Sequence, residues 1–355
     1  MSLIAFLFVL SVLVIIHEFG HFIIAKRNGV KVEKFSFGFG PKLFGLTRGD
    51  TEYRISLIPL GGYVKMAGDE PESATGHAGE FLSKTVWQRF KIVVFGPVLN
   101  YVLAFVLFWV IFMVGSPVVI NKIGSLLDDY PAKAAGLLAG DRILSVDGQK
   151  TAYWEELTDI IHNKKTGDLN LEVERATKTG QQVIKIKVTP KLKEVTDIFG
   201  KKCSISLIGI APSGEAIKVR YGIVESFLKA GATIYKLTDV TCKSLLFIVT
   251  GKLSIKESMT GPIGMYIITG KAAELGMVYL LQMMAILSAS LAIFNLLPVP
   301  VLDGGHILFL VIEKIRGKPL SAKFQEKAAQ GGLALLIALM LFVLYADILR
   351  FIVKK

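Results

Sequence analysis

The chain has 355 residues, 52% hydrophobic and 20% charged, with a formal net charge of +12. Soluble domains are ~45–50% apolar and ~25% charged, so the balance excludes a wholly soluble enzyme, a disordered chain and a collagen-like fibre. The basic excess is spread out, with no basic block or nucleic-acid module, and it reads as topology and surface rather than a nucleic-acid partner. The two cysteines, Cys203 and Cys242, cannot form a disulfide framework or a multi-cysteine metal site, so any metal falls to histidine and carboxylate.

The first element is an apolar run over residues 3–25 that stops at Lys26-Arg27. It is long enough for the ~20 residues that cross ~30 Å of hydrocarbon. No basic segment precedes it and no small-residue cleavage site follows, so it reads as a retained span. Near its far end lies His17-Glu18-Phe19-Gly20-His21. On a helix the two histidines fall one turn apart on one face, so both imidazoles reach a single zinc ion, with Glu18 beside them as candidate general base. Ionisable residues in a span are costly unless partnered, which favours a site over a chance match. The rise of ~14 Å from His17 to Lys26 puts the metal below the membrane surface.

Residues 31–66 follow with alternating patterns around a Gly-Asp centre and are expected to form antiparallel strands. A second span is expected over 92–115. Residues 116–213 have the size and composition of one small globular domain, and 214–275 a linker with an amphipathic helix. Within it, 222–253 is apolar enough to suggest a span, but Lys229, Lys236, Asp239 and Lys243 share one helical face, which favours a helix lying on the membrane surface. The third span is expected over 277–297 and the fourth over 329–350. Basic residues outnumber acidic ones in 26–91 and 304–327, which places both in the cytoplasm, with both termini and the globular domain outside.

A catalytic zinc takes three protein ligands and keeps one position open. The third candidate lies in Asn295-Leu-Leu-Pro-Val-Pro-Val-Leu-Asp-Gly-Gly-His306, where Pro298 and Pro300 break the third span. Irregular backbone at membrane depth is tolerated where it lines a buried or wet cavity. Asp303 ranks first as ligand and His306 competes; Gly304-Gly305 are expected to permit a sharp turn after Asp303. With 222–253 on the surface, the third span delivers Asp303 to the side where His17 and His21 lie. A fifth crossing would separate them.

Together with Phe35-Ser-Phe-Gly-Phe-Gly40, Ile58-Pro-Leu-Gly-Gly-Tyr-Val-Lys-Met66, Gly96-Pro-Val-Leu-Asn100 and Ser258-Met-Thr-Gly-Pro-Ile-Gly264, these residues closely resemble the site-2 protease family of intramembrane zinc metalloproteases, in its bacterial RseP/RasP branch. The resemblance runs nearly end to end. It implies a polytopic α-helical membrane protein of four transmembrane helices, with a re-entrant β-hairpin region and an inserted extracytoplasmic PDZ (α+β) domain. It implies Zn2+ as cofactor, held by His17, His21 and Asp303, with Glu18 as catalytic acid/base and Asn295 positioning the substrate. The implied substrates are transmembrane segments of single-span proteins such as anti-sigma factors, or signal-peptide-like segments, cut in the inner membrane after an upstream site-1 protease has acted. Residues Ala134 to Gly148 resemble the helix-turn-strand signature of bacterial protease PDZ domains, and Leu207, Ile208, Gly209 and Ile210 their peptide-groove loop. The branch includes relatives with two tandem PDZ domains; this chain has room for one, which leaves open whether that domain binds peptide or gates access.

Overall fold

The computed structural model describes residues 2–70, 74–177, 180–196 and 202–353. In chain order these form α1 (Ser2–Arg27), β1 (Val32–Arg48), β2 (Thr51–Met66), α2 (Val86–Val114), β3 (Ser116–Val119), β4 (Ile123–Leu126), α3 (Pro131–Ala134), β5 (Arg142–Val146), β6 (Gln149–Lys150), α4 (Trp154–Asn163), β7 (Leu169–Thr177), β8 (Gly180–Val188), β9 (Lys191–Thr196), β10 (Lys202–Leu207), β11 (Ile210–Pro212) and β12 (Ala216–Val219). They continue with α5 (Ile223–Val249), α6 (Ile255–Ser258), α7 (Pro262–Leu275), α8 (Met277–Asn295), α9 (Asp303–Arg316) and α10 (Ala322–Ile348). Two compact units emerge, 1–111 with 224–355, and 112–223.

In the first unit, α1, α2, α8 and the helix that runs from Ala322 to Phe351 are long and apolar enough to cross a membrane. The protein is therefore membrane-embedded. Helix α1 ends where the chain turns left-handed at Gly29 (φ 67°), while Val30 N–H donates to Ala25 O at 2.9 Å and closes the last turn. Helix α2 starts six residues before the expected span because Thr85 and Gln88 cap it reciprocally: Thr85 N–H donates to Gln88 Oε1 at 3.1 Å and Gln88 N–H to Thr85 Oγ1 at 3.3 Å.

Strands β1 and β2 turn at Gly49-Asp50 as an antiparallel pair, but the expected simple hairpin is doubled. Phe35 is partnered by Val64 on one side and Tyr53 on the other, so residues 32–37 lie between 62–66 and 52–55, and 62–66 forms an edge. Away from α1 the ribbon carries exposed Leu43, Phe44, Leu46 and Leu57.

Helix α5 is amphipathic and is not one of the four candidate spans. Ser226, Ala230 and Ile234 bury one stripe at four-residue spacing, Phe227 meets Phe105 and Trp109, and Thr238 bonds Tyr101 at 2.6 Å. The stretch read as a plain linker beyond it holds two further helices. Helix α7 packs on α1, with Tyr266 edge-on to Phe6 and Gly270 close to Ser2, and Pro262 in its first turn supplies a preset φ. Its first amides are satisfied from another helix: Gly261 N–H and Gly264 N–H donate to the buried Asp347 carboxylate of α10 at 3.1 and 2.8 Å.

The second unit is a small α+β fold around Ile123, Leu137, Ile143, Leu157, Leu169, Leu171, Val173 and Ile208. Its main sheet has the order β6-β5-β7-β8. Buried Leu169, Leu171 and Val173 alternate along β7, and Leu157 and Ile161 face inward from α4 one turn apart. Asp147 (φ 49°) and Gly148 (φ 82°) make the two-residue hairpin turn that joins β5 to β6. Strand β3 at the unit's entry pairs antiparallel with β12 at its exit, Ser116 opposite Val219.

Candidate metal centre

The periodicity of α1 brings His17 and His21 together as expected, with their Nε2 atoms 3.2 Å apart and their rings at 85°. Both are buried. Asp303 is the first residue of α9 and faces them: Oδ2 is 3.1 Å from His17 Nε2, and Oδ1 is 3.5 Å from His21 Nε2. Two ligands ~2.05 Å from a tetrahedral zinc stand about 3.3 Å apart, and the 3.1–3.5 Å separations are of that size, each imidazole lying nearest a different oxygen of the Asp303 carboxylate. The chemistry of the set agrees. Ile92 O, 2.9 Å from His21 Nδ1, can only accept, so that nitrogen carries the proton and Nε2 keeps its lone pair for metal. Asp303 Oδ2 is buried without a hydrogen-bond partner, which a cation would satisfy.

The chain reaches Asp303 through a broken segment after α8. Val301 takes φ 92°, a costly conformation for a β-branched residue. Gly304 and Gly305 serve a different purpose from the expected turn. Both lie inside α9, and a Cβ on them would stand 2.2 Å from Leu297 O and 2.4 Å from Val299 O. They let the helix start press against the broken segment, and Gly332 of α10 also packs closely on it, against Pro300 O.

Glu18 is half-buried beside the two histidines and within electrostatic range of His21 and Asp303. Its carboxylate takes the Val64 backbone amide, and its Cγ lies against Gly62, so the 62–66 edge adjoins it. Asn295 closes α8 and is half-buried. His306, the competing ligand, stands outside the three-donor group, one turn along α9 with its ring edge-on to Phe309. It lines, with His21 and Asp303, a cavity of about 420 Å³. In the second unit, Ile208 is 1% exposed in the core, and Ile208 O and Gly209 O already accept from Ala132 and Leu127. Gly209 (φ 84°) sits where a Cβ would strike Tyr130.

Sequence reading missed three supports of this centre. Arg89 and Glu313 form a bidentate ion pair across α2 and α9, at 2.5 and 3.1 Å, on the wall of the cavity. Gly96 leaves the room in which the imidazoles sit, since a Cβ there would be 2.4 Å from His21 Nε2. Asn100 is fully buried against His17. For Gly96 and Asn100 the Gly96-to-Asn100 motif was the signal; Arg89 and Glu313, 224 residues apart, had none.

The family model described as Peptidase family M50 matches residues 5–339. The chain belongs to Peptidase family M50. This site-2 protease family makes it a zinc metalloprotease with Zn2+ as cofactor. It is 31% identical to the zinc metalloprotease RasP of Geobacillus kaustophilus, covering 99% of this chain and 98% of that one. Proteins of Agrobacterium fabrum and Clostridium perfringens, each named for an inferred zinc metalloprotease activity, are 34% and 36% identical over 98% of this chain, with 95% and 99% of their own lengths covered.

Proposed function

We propose that this M50 protease hydrolyses peptide bonds within transmembrane segments of single-span membrane proteins, anti-sigma factors and signal-peptide-like segments among them, after an upstream site-1 protease has trimmed the outer portion. The observation that carries this reading is a closely spaced His17-His21-Asp303 donor set with Glu18 alongside, all on helices of a membrane-embedded bundle. His17, His21 and Asp303 would hold the zinc. When bound, zinc lowers the pKa of a water from ~15.7 to ~7 and polarises a carbonyl oxygen. Glu18 accepts the proton of the attacking water and returns it to the leaving amine, and Asn295 holds the substrate backbone at the end of α8.

A helical substrate must unwind before its carbonyl can be attacked. The 62–66 edge adjoins Glu18, so an unwound segment added to it as a further strand is delivered to the centre. The apolar ribbon with Leu43, Phe44, Leu46 and Leu57 suits a hairpin dipping into the bilayer. The basic excess of 26–91 and 304–327 supports a cytoplasmic-side active site in the bacterial inner membrane, with the second unit and both termini outside. That unit is read as one PDZ domain. Because the Ile208 side chain is core, its groove would offer backbone groups along Leu207, Ile208, Gly209 and Ile210.

Glu18→Gln tests the reading. It should abolish cleavage of a reconstituted single-span substrate while sparing bound zinc, and normal turnover would refute the role given to Glu18. Proline placed at 62, 63 and 65 in turn should cut cleavage where the edge pairs with substrate; unchanged cleavage at all three removes strand addition.

A further inference from the structure

One face of α2 is built around the two histidines of α1. Ile92, Gly96 and Asn100 recur every four residues. The first gives its carbonyl to His21 Nδ1, the second leaves out a side chain where the imidazoles pass, and the third sets its carboxamide 3.3 Å from His17 Nδ1. Asn100 is 0% exposed and its Oδ1 has no partner. Its backbone oxygen accepts from Ser288 Oγ of α8 at 2.7 Å, so the residue is fixed between the helix that carries the histidines and the one that leads to Asp303.

The nitrogen and oxygen of a carboxamide are interchangeable in shape, and the hydrogen-bond network decides between them. With the nitrogen toward His17 Nδ1, that atom must accept, and the ring proton is forced onto Nε2, into the space among the three donors. With the oxygen there, His17 donates from Nδ1, the orphan oxygen gains its partner, and both imidazoles present Nε2 lone pairs. We propose that Asn100 is a positioning residue of the metal centre, its carboxamide oxygen accepting the His17 Nδ1–H so that Nε2 is held for zinc. Histidine ligands are commonly oriented in this way, and losing the partner costs ~10–100-fold in metal affinity.

This inference rests on His17 being a ligand, and the test separates the two. Zinc affinity of the full chain in detergent is measured by competition with a chromophoric chelator for the native protein, His17→Ala, Asn100→Leu and Asn100→Asp, with thermal melts alongside. His17→Ala should lose zinc. Asn100→Leu, which fills the space but cannot accept, should weaken affinity ~10–100-fold. Asn100→Asp, which can accept, should stay within ~3-fold of native by the same reasoning. Native affinity in Asn100→Leu beside a zinc-free His17→Ala overturns this inference alone, whereas full zinc binding in His17→Ala overturns the ligand assignment and the inference with it. If Asn100→Leu fails to fold, Asn100→Asp decides: retention supports the proposal, because a role in packing alone would not tolerate a buried carboxylate, and a loss beyond ~10-fold defeats it.

Discussion

Replacing Gly96 by alanine should disable the enzyme while adding only a methyl group. The new Cβ would stand 2.4 Å from His21 Nε2, 2.5 Å from His21 Cε1 and 3.0 Å from His17 Cε1, where ordinary contact begins near 3.4 Å. The imidazole must therefore retreat by about 1 Å, or α2 must move away from α1. The second escape would open the close crossing at Gly20 of α1, where a Cβ would stand 2.3 Å from Phe95 O and 2.8 Å from Gly96 Cα, so it too disturbs the packing around the histidines. A misplacement of ~1 Å costs on the order of 10²-fold in rate, and the displaced atom is itself a proposed zinc ligand, so zinc content should fall as well. Helix propensity alone argues the opposite, since alanine is favoured over glycine by ~1 kcal/mol in a helix interior. Gly331→Ala in α10 isolates that effect, because nothing lies within 4 Å of its Cβ position. The assay pairs cleavage of a reconstituted single-span substrate with zinc content by mass spectrometry. Near-native turnover and zinc in Gly96→Ala, alongside a neutral Gly331→Ala, would refute the reasoning.

Arg89→Ala or Glu313→Ala alone should destabilise the first unit by ~3–5 kcal/mol, since each strands a largely buried charge; Arg89→Met with Glu313→Leu should recover most of the loss in a detergent melt. Asp347→Ala removes the acceptor for two amides at the start of α7 and should cost ~1–2 kcal/mol, with faster proteolysis between α6 and α7 as the local readout. In the second unit the Asn170 backbone amide, with the Lys164 ammonium, holds the Asp147 carboxyl below the usual aspartate range. A depressed carboxyl stabilises above its unfolded pKa of ~3.9 and loses that contribution as pH falls through the lower folded value. Protection of the Asn170 amide, corrected for intrinsic exchange rate, should therefore fall in acid in the native protein but not in Asp147→Asn; identical profiles in the two proteins would dismiss the link.

The three donors were legible in sequence because each announces itself through local rules. A four-residue spacing puts His17 and His21 on one helix face, and two prolines mark the break before Asp303. The strands of 31–66 were legible through alternation, yet their doubled pairing was not, because Phe35 acquires Tyr53 and Val64 as neighbours only when the ribbon folds across itself. Helix α7 escaped notice because glycine and threonine dilute its pattern, and its start is capped by Asp347 from a helix more than 80 residues away. Gly304 and Gly305 illustrate a more general ambiguity: paired glycines read equally as a turn or as room for a neighbour, and only the packed partners, Leu297 O and Val299 O, decide.

The pairing of Ser116 with Val219 has an evolutionary consequence. A domain whose first and last strands lie side by side occupies almost no length of its host's path, so the flanking helices need not be respaced when it is exchanged, duplicated or deleted. Selection can then reshape what approaches the enzyme while the residues that cut remain under separate constraint. Joining the ends of β3 and β12 by a short glycine-rich turn is the corresponding engineering route to a minimal protease.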